Sequence, residues 1–350
     1  MKRLFYTILV IAALIMTSCS NKVDLYSDEG ETTIVYGMLD ANADTTFFKI
    51  TRSFIGNVTE LAPIYDVSNY QYDEIEVTFS GKLVDNILPN GNIVSSHYDL
   101  TLDTIAKWVP YDPEATFYTG CYQTYYYVPK QLIEGEEYEI NVLRKADNVN
   151  VSAKVVTINN FVFLKPPASV DINFTDVSTT TTTVEWRVPV APFKTTASYF
   201  EVMGYFHYKE LQPGATDTVH RTIKWTLGAG KAEDLYNTSQ TLPYYVIAYP
   251  PSQLYAYLEN DPYLTNNSPY GVQRWTEKFE FAITAVGEDL YNYYLITNSS
   301  SAIQDVPNYS NVNNGAGIVS SRITKSRYVK LSQRTIYKIK EKFPQYYFLK

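Results

Sequence analysis

Phe200-Glu201-Val202-Met203-Gly204-Tyr205-Phe206-His207-Tyr208 is followed, beyond Pro213-Gly214, by Thr218-Val219-His220-Arg221-Thr222-Ile223-Lys224-Trp225-Thr226-Leu227. In the first run the even positions are apolar and the odd ones mostly polar. In the second the odd positions are mostly apolar. Side chains along a strand point alternately to opposite faces, so this period of two predicts two half-buried strands. The Pro-Gly pair between them predicts a turn, and together they make a hairpin. A pairing symmetrical about that turn sets Val202 opposite Trp225, Gly204 opposite Ile223 and His207 opposite His220.

The same period recurs on both sides of the hairpin. Residues 33–39, 46–54, 75–79, 138–142 and 153–158 read as the strands of a first unit. Thr181–Val188, with a core tryptophan at Trp186, and Phe279–Gly287 read as strands of a second. Lys165-Pro166-Pro167 is the linker, because two prolines stiffen the chain and cannot continue a ladder. The expected class is mainly β, with two β-sandwich domains. An immunoglobulin-like one spans 31–164, and a fibronectin type III-like one spans 168–290 with an insertion at 242–275. A C-terminal extension follows at 291–350. Short helices are expected over 252–260, after Pro250-Pro251, and from Ser332 as N-cap to Lys342, before Pro344.

Of the 350 residues, 45% are hydrophobic and 15% aromatic, which is too apolar for a disordered chain. The formal charge is -8, so no basic surplus points to nucleic acid. Two cysteines, Cys19 and Cys121, form no disulfide framework, and no cofactor is expected.

The N-terminus predicts export. Lys2-Arg3 precede an apolar run, Leu4 to Met16, too short for the roughly 20 residues that span a bilayer. Met16-Thr17-Ser18-Cys19 is similar to a bacterial lipobox, which predicts removal of residues 1–18 and acylation of Cys19. A cysteine is needed because its thiol takes a diacylglycerol by thioether while the freed amine takes a further chain, and two or more chains anchor stably. Residues 19–30 read as a polar, acidic tether.

Val23-Asp24-Leu25-Tyr26, Ile34-Val35-Tyr36-Gly37-Met38-Leu39-Asp40 and Phe48-Lys49-Ile50-Thr51-Arg52-Ser53-Phe54-Ile55-Gly56 resemble the opening of the lipoprotein family called domain of unknown function 4249. Tyr309-Ser310-Asn311-Val312-Asn313-Asn314-Gly315-Ala316-Gly317-Ile318 looks like its closing pattern. The resemblance implies an outer-membrane, cell-surface lipoprotein of Bacteroidota-type cells, found beside TonB-dependent outer-membrane transporters. It implies no catalytic residue.

No HExxH, GxSxG or phosphate-loop motif occurs, and the glycines at 315 and 317 read as turn residues. His207 and His220, facing each other, would be two ligands where zinc needs three or four. The aromatic clusters are the stronger functional lead: Phe117-Tyr118, Tyr122 and Tyr125–Tyr127 in one, and Tyr244 through Trp275 in the other. Tyr245, Tyr249, Tyr255, Tyr257, Tyr263, Tyr270 and Trp275 are the candidate contacts, since tyrosine joins an apolar body to a polar tip and suits docked partners and sugars. The expected role is non-catalytic binding of a glycan or peptide ligand, or of a transporter, by a lipid-anchored envelope protein. The alternative is a structural or adhesive surface lipoprotein.

Overall fold

The computed structural model describes residues 31–53, 71–72, 74–87, 93–110, 120–190, 192–298 and 309–349. The signal segment, Cys19, the tether, Phe54-Ile55-Gly56 and Phe117-Tyr118 lie outside them. The chain is mainly β. One eight-stranded sheet has the order β12 (Val219–Lys231), β11 (Tyr199–Leu211), β15 (Gln273–Val286), β16 (Ala316–Val329), β1 (Thr33–Leu39), β2 (Thr46–Arg52), β6 (Gly120–Val128), β5 (Asp103–Pro110). Two four-stranded sheets cover one face of it. One is β13 (Tyr236–Asn237), β14 (Tyr244–Tyr249), β10 (Thr182–Arg187), β9 (Val162–Lys165). The other is β4 (Ile93–Leu100), β3 (Ile75–Ile87), β7 (Glu137–Arg144), β8 (Val149–Val156).

Each covering sheet closes a core. Trp186, Phe200, Phe206, Trp225, Phe279 and Phe281 fill the core under the first. Val35, Phe48, Phe79, Tyr138, Ile140 and Val319 fill the one under the second. The burial alternates with a period of two along β1 and β11, as the sequence pattern requires.

The two sandwiches share a sheet through β16, which lies in the segment read as an extension. Its residues Ala316–Ser321 pair in parallel with β1, and Arg322–Val329 pair antiparallel with β15. Val319 enters one core while Ile323 and Val329 enter the other. Gly317 has φ +112°, and a Cβ there would lie 2.1 Å from the Val35 carbonyl oxygen. These glycines are therefore set by the close approach of β1, rather than by a turn alone. Tyr244–Tyr249, inside the stretch read as an insertion, is likewise a strand of the sandwich, paired with β10.

The central hairpin forms with a register two residues away from the expected one between Met203 and the turn, and three away at Val202, which faces Gly228 rather than Trp225. Gly204 faces Trp225, His207 faces Thr222, and His220 faces Lys209. A loop with Gly214 at φ +80° closes it, and Leu227 is an extra residue between the Val202–Gly228 and Met203–Thr226 pairs. A shift of two leaves every side chain on its expected face, so Ile223, Trp225 and Leu227 are still buried.

Five α-helices, α1 (Ala232–Leu235), α2 (Gln253–Glu259), α3 (Pro262–Asn266), α4 (Glu288–Asn298) and α5 (Gln333–Lys342), and a single 3-10 turn at Pro344–Tyr346 complete the described chain. The two expected helices are α2 and α5. Ser332 caps α5 by accepting the Thr335 N–H at 3.2 Å. The C-terminal tail is clasped to the hairpin by Arg274 and Glu210, whose side chains are both fully buried. The Arg274 guanidinium donates to Glu210 through Nε (2.8 Å), to Ser268 Oγ (2.9 Å), and to the carbonyls of Tyr346 (2.7 Å) and Asn267 (2.6 Å). Its second contact with Glu210, from Nη2, is 2.7 Å. Tyr263 and Gln212 donate to the other Glu210 oxygen at 2.6 and 2.8 Å.

Candidate functional site

Helix α4 lies on the outer face of the long sheet, over the strands where the two sandwiches meet. Leu290 packs there with Val286 and Ile318, beside Met38, Tyr199, Tyr291 and Tyr309. The Leu290 N–H donates to Ser320 Oγ at 3.2 Å, and Tyr309 donates to Asp289 at 2.7 Å, so the first turn of the helix is held. Tyr291 stacks on Tyr199 of β11, with ring centroids 4.7 Å apart and planes 16° apart.

A hollow opens on either side of this aromatic pair. The larger, about 750 Å³, has as its floor the outward residues Tyr199, Glu201, Met203 and Tyr205 of β11, with Thr226, Thr284 and Arg322 from the neighbouring strands. Tyr291, Tyr294 and Leu295 of α4 form its wall. The smaller, about 560 Å³, is lined by Lys194, Lys231, Glu233, Tyr236, Glu288 and Asn292 among others, and Tyr291 borders both. A cleft of this size with aromatic walls and a few convergent polar groups has the usual character of a ligand site.

Its chemistry is that of hydroxyl groups with balanced charge. Thr226 Oγ1 donates to Glu201 at 3.2 Å, and Thr284 and Thr324 share a hydrogen bond of 3.0 Å. Burial first, and then the nearby carboxylate of Glu201 with the Tyr291 phenol, push the Tyr199 hydroxyl above the usual phenol range. Burial, with Glu280 and Glu201, does the same to Tyr205. Both phenols therefore stay protonated at neutral pH, able to donate and to accept. Glu201 and Arg322 supply one charge of each sign. Such a cleft suits a ligand with many hydroxyl or amide groups and a flat apolar face.

The imidazoles lie farther along the same sheet face and apart from each other. Thr222 Oγ1 and His207 Nδ1 are 2.9 Å apart, and His207 Nε2 is 3.0 Å from Glu280, which also accepts from Ser326. His220 Nδ1 is 2.8 Å from Glu277. The expected juxtaposition is thus corrected: each histidine has its own carboxylate, because the register moves His220 opposite Lys209. Among the described residues, no three histidine, cysteine, aspartate or glutamate side chains come together as metal ligands. The line Thr222–His207–Glu280 has the residue types of a hydroxyl–imidazole–carboxylate relay, but none of the three lines the cleft.

The tyrosines singled out from 242–275 do not converge on one hollow. Tyr245, Tyr249 and Tyr255 are core residues, at most 3% exposed, and this removes Tyr249 and Tyr255 as contacts. Tyr245 accepts the Thr195 N–H at 2.9 Å and touches the smaller hollow from beneath, and Tyr255 donates to the Phe174 carbonyl at 3.0 Å. Their burial follows from β14 and α2 being parts of the sandwich. Tyr263 belongs to the Arg274–Glu210 clasp, with the Arg221 guanidinium 4.0 Å above its ring. Tyr257 stacks on Trp225, Tyr270 is 91% exposed with its ring edge-on to Tyr347, and Trp275 is half-buried. Several basic residues of the C-terminal stretch are engaged within the chain, while Arg322, Lys330, Arg334, Lys340 and Lys342 are exposed. Lys338 bonds Glu341, Lys340 donates to the Leu349 carbonyl, and Arg327 lies 5.0 Å over the Phe163 ring.

Tyr199, Tyr205, Tyr291 and Tyr294 were not singled out from sequence. The available signal is that β11 carries aromatics at both parities, Tyr199 and Phe200, Tyr205 and Phe206, where a half-exposed strand needs them at only one. Among the described residues no helix is long and apolar enough to cross a membrane. No known protein-family model matches the chain, and no curated protein is significantly similar to it.

Proposed function

We propose that this chain is a non-catalytic binding protein of the cell envelope, tethered to the outer membrane by lipid on Cys19, which holds a glycan or peptide ligand in the cleft between α4 and the sheet. The observation that carries the binding role is the Tyr199–Tyr291 stack, whose Tyr291 borders two hollows lined by apolar side chains such as Met203, Val286 and Leu295 together with hydroxyls, carboxylates and cations of balanced charge. Stacked phenols give a rigid apolar platform, and the surrounding hydroxyls exchange hydrogen bonds with a polar ligand without a net charge to select for ions. The cleft offers no imidazole or thiol as nucleophile or base, which favours binding over turnover. The lipobox-like Met16–Cys19 and the resemblance to the lipoprotein family support the tether and a place beside an outer-membrane transporter.

Glycan and peptide arrays probed with the full chain test the binding role. Tyr199→Ala and Tyr291→Ala are each expected to weaken the captured ligand about tenfold, or about 1.4 kcal/mol, measured under conditions where both variants remain folded. Unchanged binding in both variants overturns the cleft as the site. Cys19→Ser is expected to release the protein from membranes into the soluble fraction, and retention of that variant on membranes overturns the tether.

A further inference from the structure

The ends of the long sheet are unlike each other. β12 forms one edge and carries His220, Arg221, Lys224 and Lys231 with no acidic residue, so a second copy of the same strand laid against it meets like charges. β5 forms the other edge. Residues Asp103–Trp108 are exposed on both faces, with Ile105 at 41% and Trp108 at 40%. Among the described residues its sheet partner is β6 alone, and no described strand pairs with the backbone N–H and C=O groups of its far side.

The charges on β5 are self-complementary. Asp103, Ile105 and Lys107 share one face, with Ile105 midway between two opposite charges. In an antiparallel pair of two copies centred on Ile105, Asp103 of each lies opposite Lys107 of the other. Thr104 then lies opposite Ala106, and Ile105 meets its own counterpart on the two-fold axis. Lys107 Nζ sits 3.7 Å above the Phe47 ring on the outer face, so its chain lies along the sheet. An edge lysine ordinarily discourages pairing; here the aspartate four residues before it answers that charge across the two-fold.

We infer that β5 is a homodimerisation edge, on which a second copy of this chain adds its own β5 in antiparallel register about Ile105 and joins the two long sheets into one. A strand pair of this length buries well under the roughly 1,200 Å² of a standard stable interface, so the association is weak in dilute solution.

Cysteine cross-linking of the full chain in detergent reads the register. Opposed Cα atoms in an antiparallel pair are about 4.5–5.5 Å apart, inside the span of a disulfide. Ile105→Cys is expected to form a covalent dimer under mild oxidation. Asp103→Cys alone and Lys107→Cys alone are not, but an equimolar mixture of those two is. Native Cys121 is buried, and wild type run in parallel accounts for Cys19. In sedimentation equilibrium, Asp103→Lys is expected to weaken self-association about tenfold, and adding Lys107→Asp to restore it. Cross-linking of Ile105→Cys no faster than Asp103→Cys, or failure of the double exchange to restore association, overturns the register. A wild-type chain that stays monomeric at about 200 µM, far above the micromolar range, overturns the interface itself.

Discussion

Replacing Arg274 by methionine removes the only guanidinium that reaches Glu210 at hydrogen-bond distance among the described residues, while keeping most of the buried volume. Both side chains are fully buried. The guanidinium donates four hydrogen bonds, one each to Glu210 Oε2, Ser268, Tyr346 and Asn267, and its Nη2 also lies 2.7 Å from Glu210 Oε2. The variant leaves a desolvated carboxylate with the hydroxyl of Tyr263, the amide of Gln212 and the part-exposed Arg221 guanidinium at 3.7 Å, and leaves two backbone carbonyls without their donor. Breaking a buried pair from one side typically costs about 3–5 kcal/mol. The same loss is expected here, measured as the change in unfolding free energy from urea titration followed by tryptophan fluorescence. The double variant Glu210→Gln with Arg274→Met is expected to be less destabilised than Arg274→Met alone, since no unpaired charge remains. The pH dependence has a definite sign. Burial pushes the Glu210 carboxyl up, but the bonds from Tyr263, Gln212 and Arg274 and the Arg274 charge outweigh it, so it sits below the usual carboxylate range. A carboxyl depressed in the folded state contributes stability above its unfolded value, about 4.3, and loses that contribution as pH falls through the folded value. Without Arg274 burial prevails and the carboxyl rises, so the gap between wild type and Arg274→Met is expected to narrow as the pH drops below about 5. A change of under about 1 kcal/mol at pH 7, or a gap that widens on acidification, refutes the assignment of the clasp as a stabilising ion pair.

Two further substitutions probe the parts that hold the architecture. Gly317→Ala is expected to destabilise by more than the about 1–3 kcal/mol of ordinary backbone strain, because φ +112° and the Val35 carbonyl both exclude a Cβ; a near-wild-type urea midpoint would contradict the close β1–β16 approach. Ser332→Ala is expected to cost about 1 kcal/mol through loss of the α5 cap, with Ser332→Asp retaining the stability, and equal losses in both would assign the effect to something other than capping.

What was legible in the sequence is what local physics decides. The alternation in 33–39 appears as β1 with the same bounds, and Ser332 with Pro344 brackets α5 because capping and proline chemistry act within one turn. The hairpin was legible in its faces, since those follow from parity, but not in its register. Register depended on a loop and on the extra residue Leu227, which no alternation pattern encodes. The sharing of one sheet by two sandwiches was invisible for a different reason. It rests on a parallel pair between β1 and β16, nearly a chain length apart, and two parallel strands need no turn signature between them. Its one local trace is Gly315-Ala316-Gly317, where small residues in a strand mark a backbone passing close by.

The density of tyrosine along the chain does not point to the cleft, because the fold places side chains by parity. Tyr245, Tyr249 and Tyr255 sit close together in sequence and end in the core; burial lifts the Tyr249 and Tyr255 phenols, the latter to about 12. Tyr199, Tyr205 and Tyr291 are scattered, yet the outward parity of β11 and a single helix resting on it bring them together. Helix α4 accentuates this. Leu290 is the side chain that packs it down, while Tyr293, Tyr294 and Leu295 remain 37%, 42% and 49% exposed. A helix placed over a sheet simply to cover apolar surface would show one apolar stripe turned inward. This one keeps aromatic groups at the rim of a cleft and along its solvent side, which a covering role leaves unexplained and a binding role uses. Surface aromatics held by a rigid sheet, rather than aromatic abundance, are what the proposed binding role draws on, because abundance in a β-sandwich is first consumed by its cores.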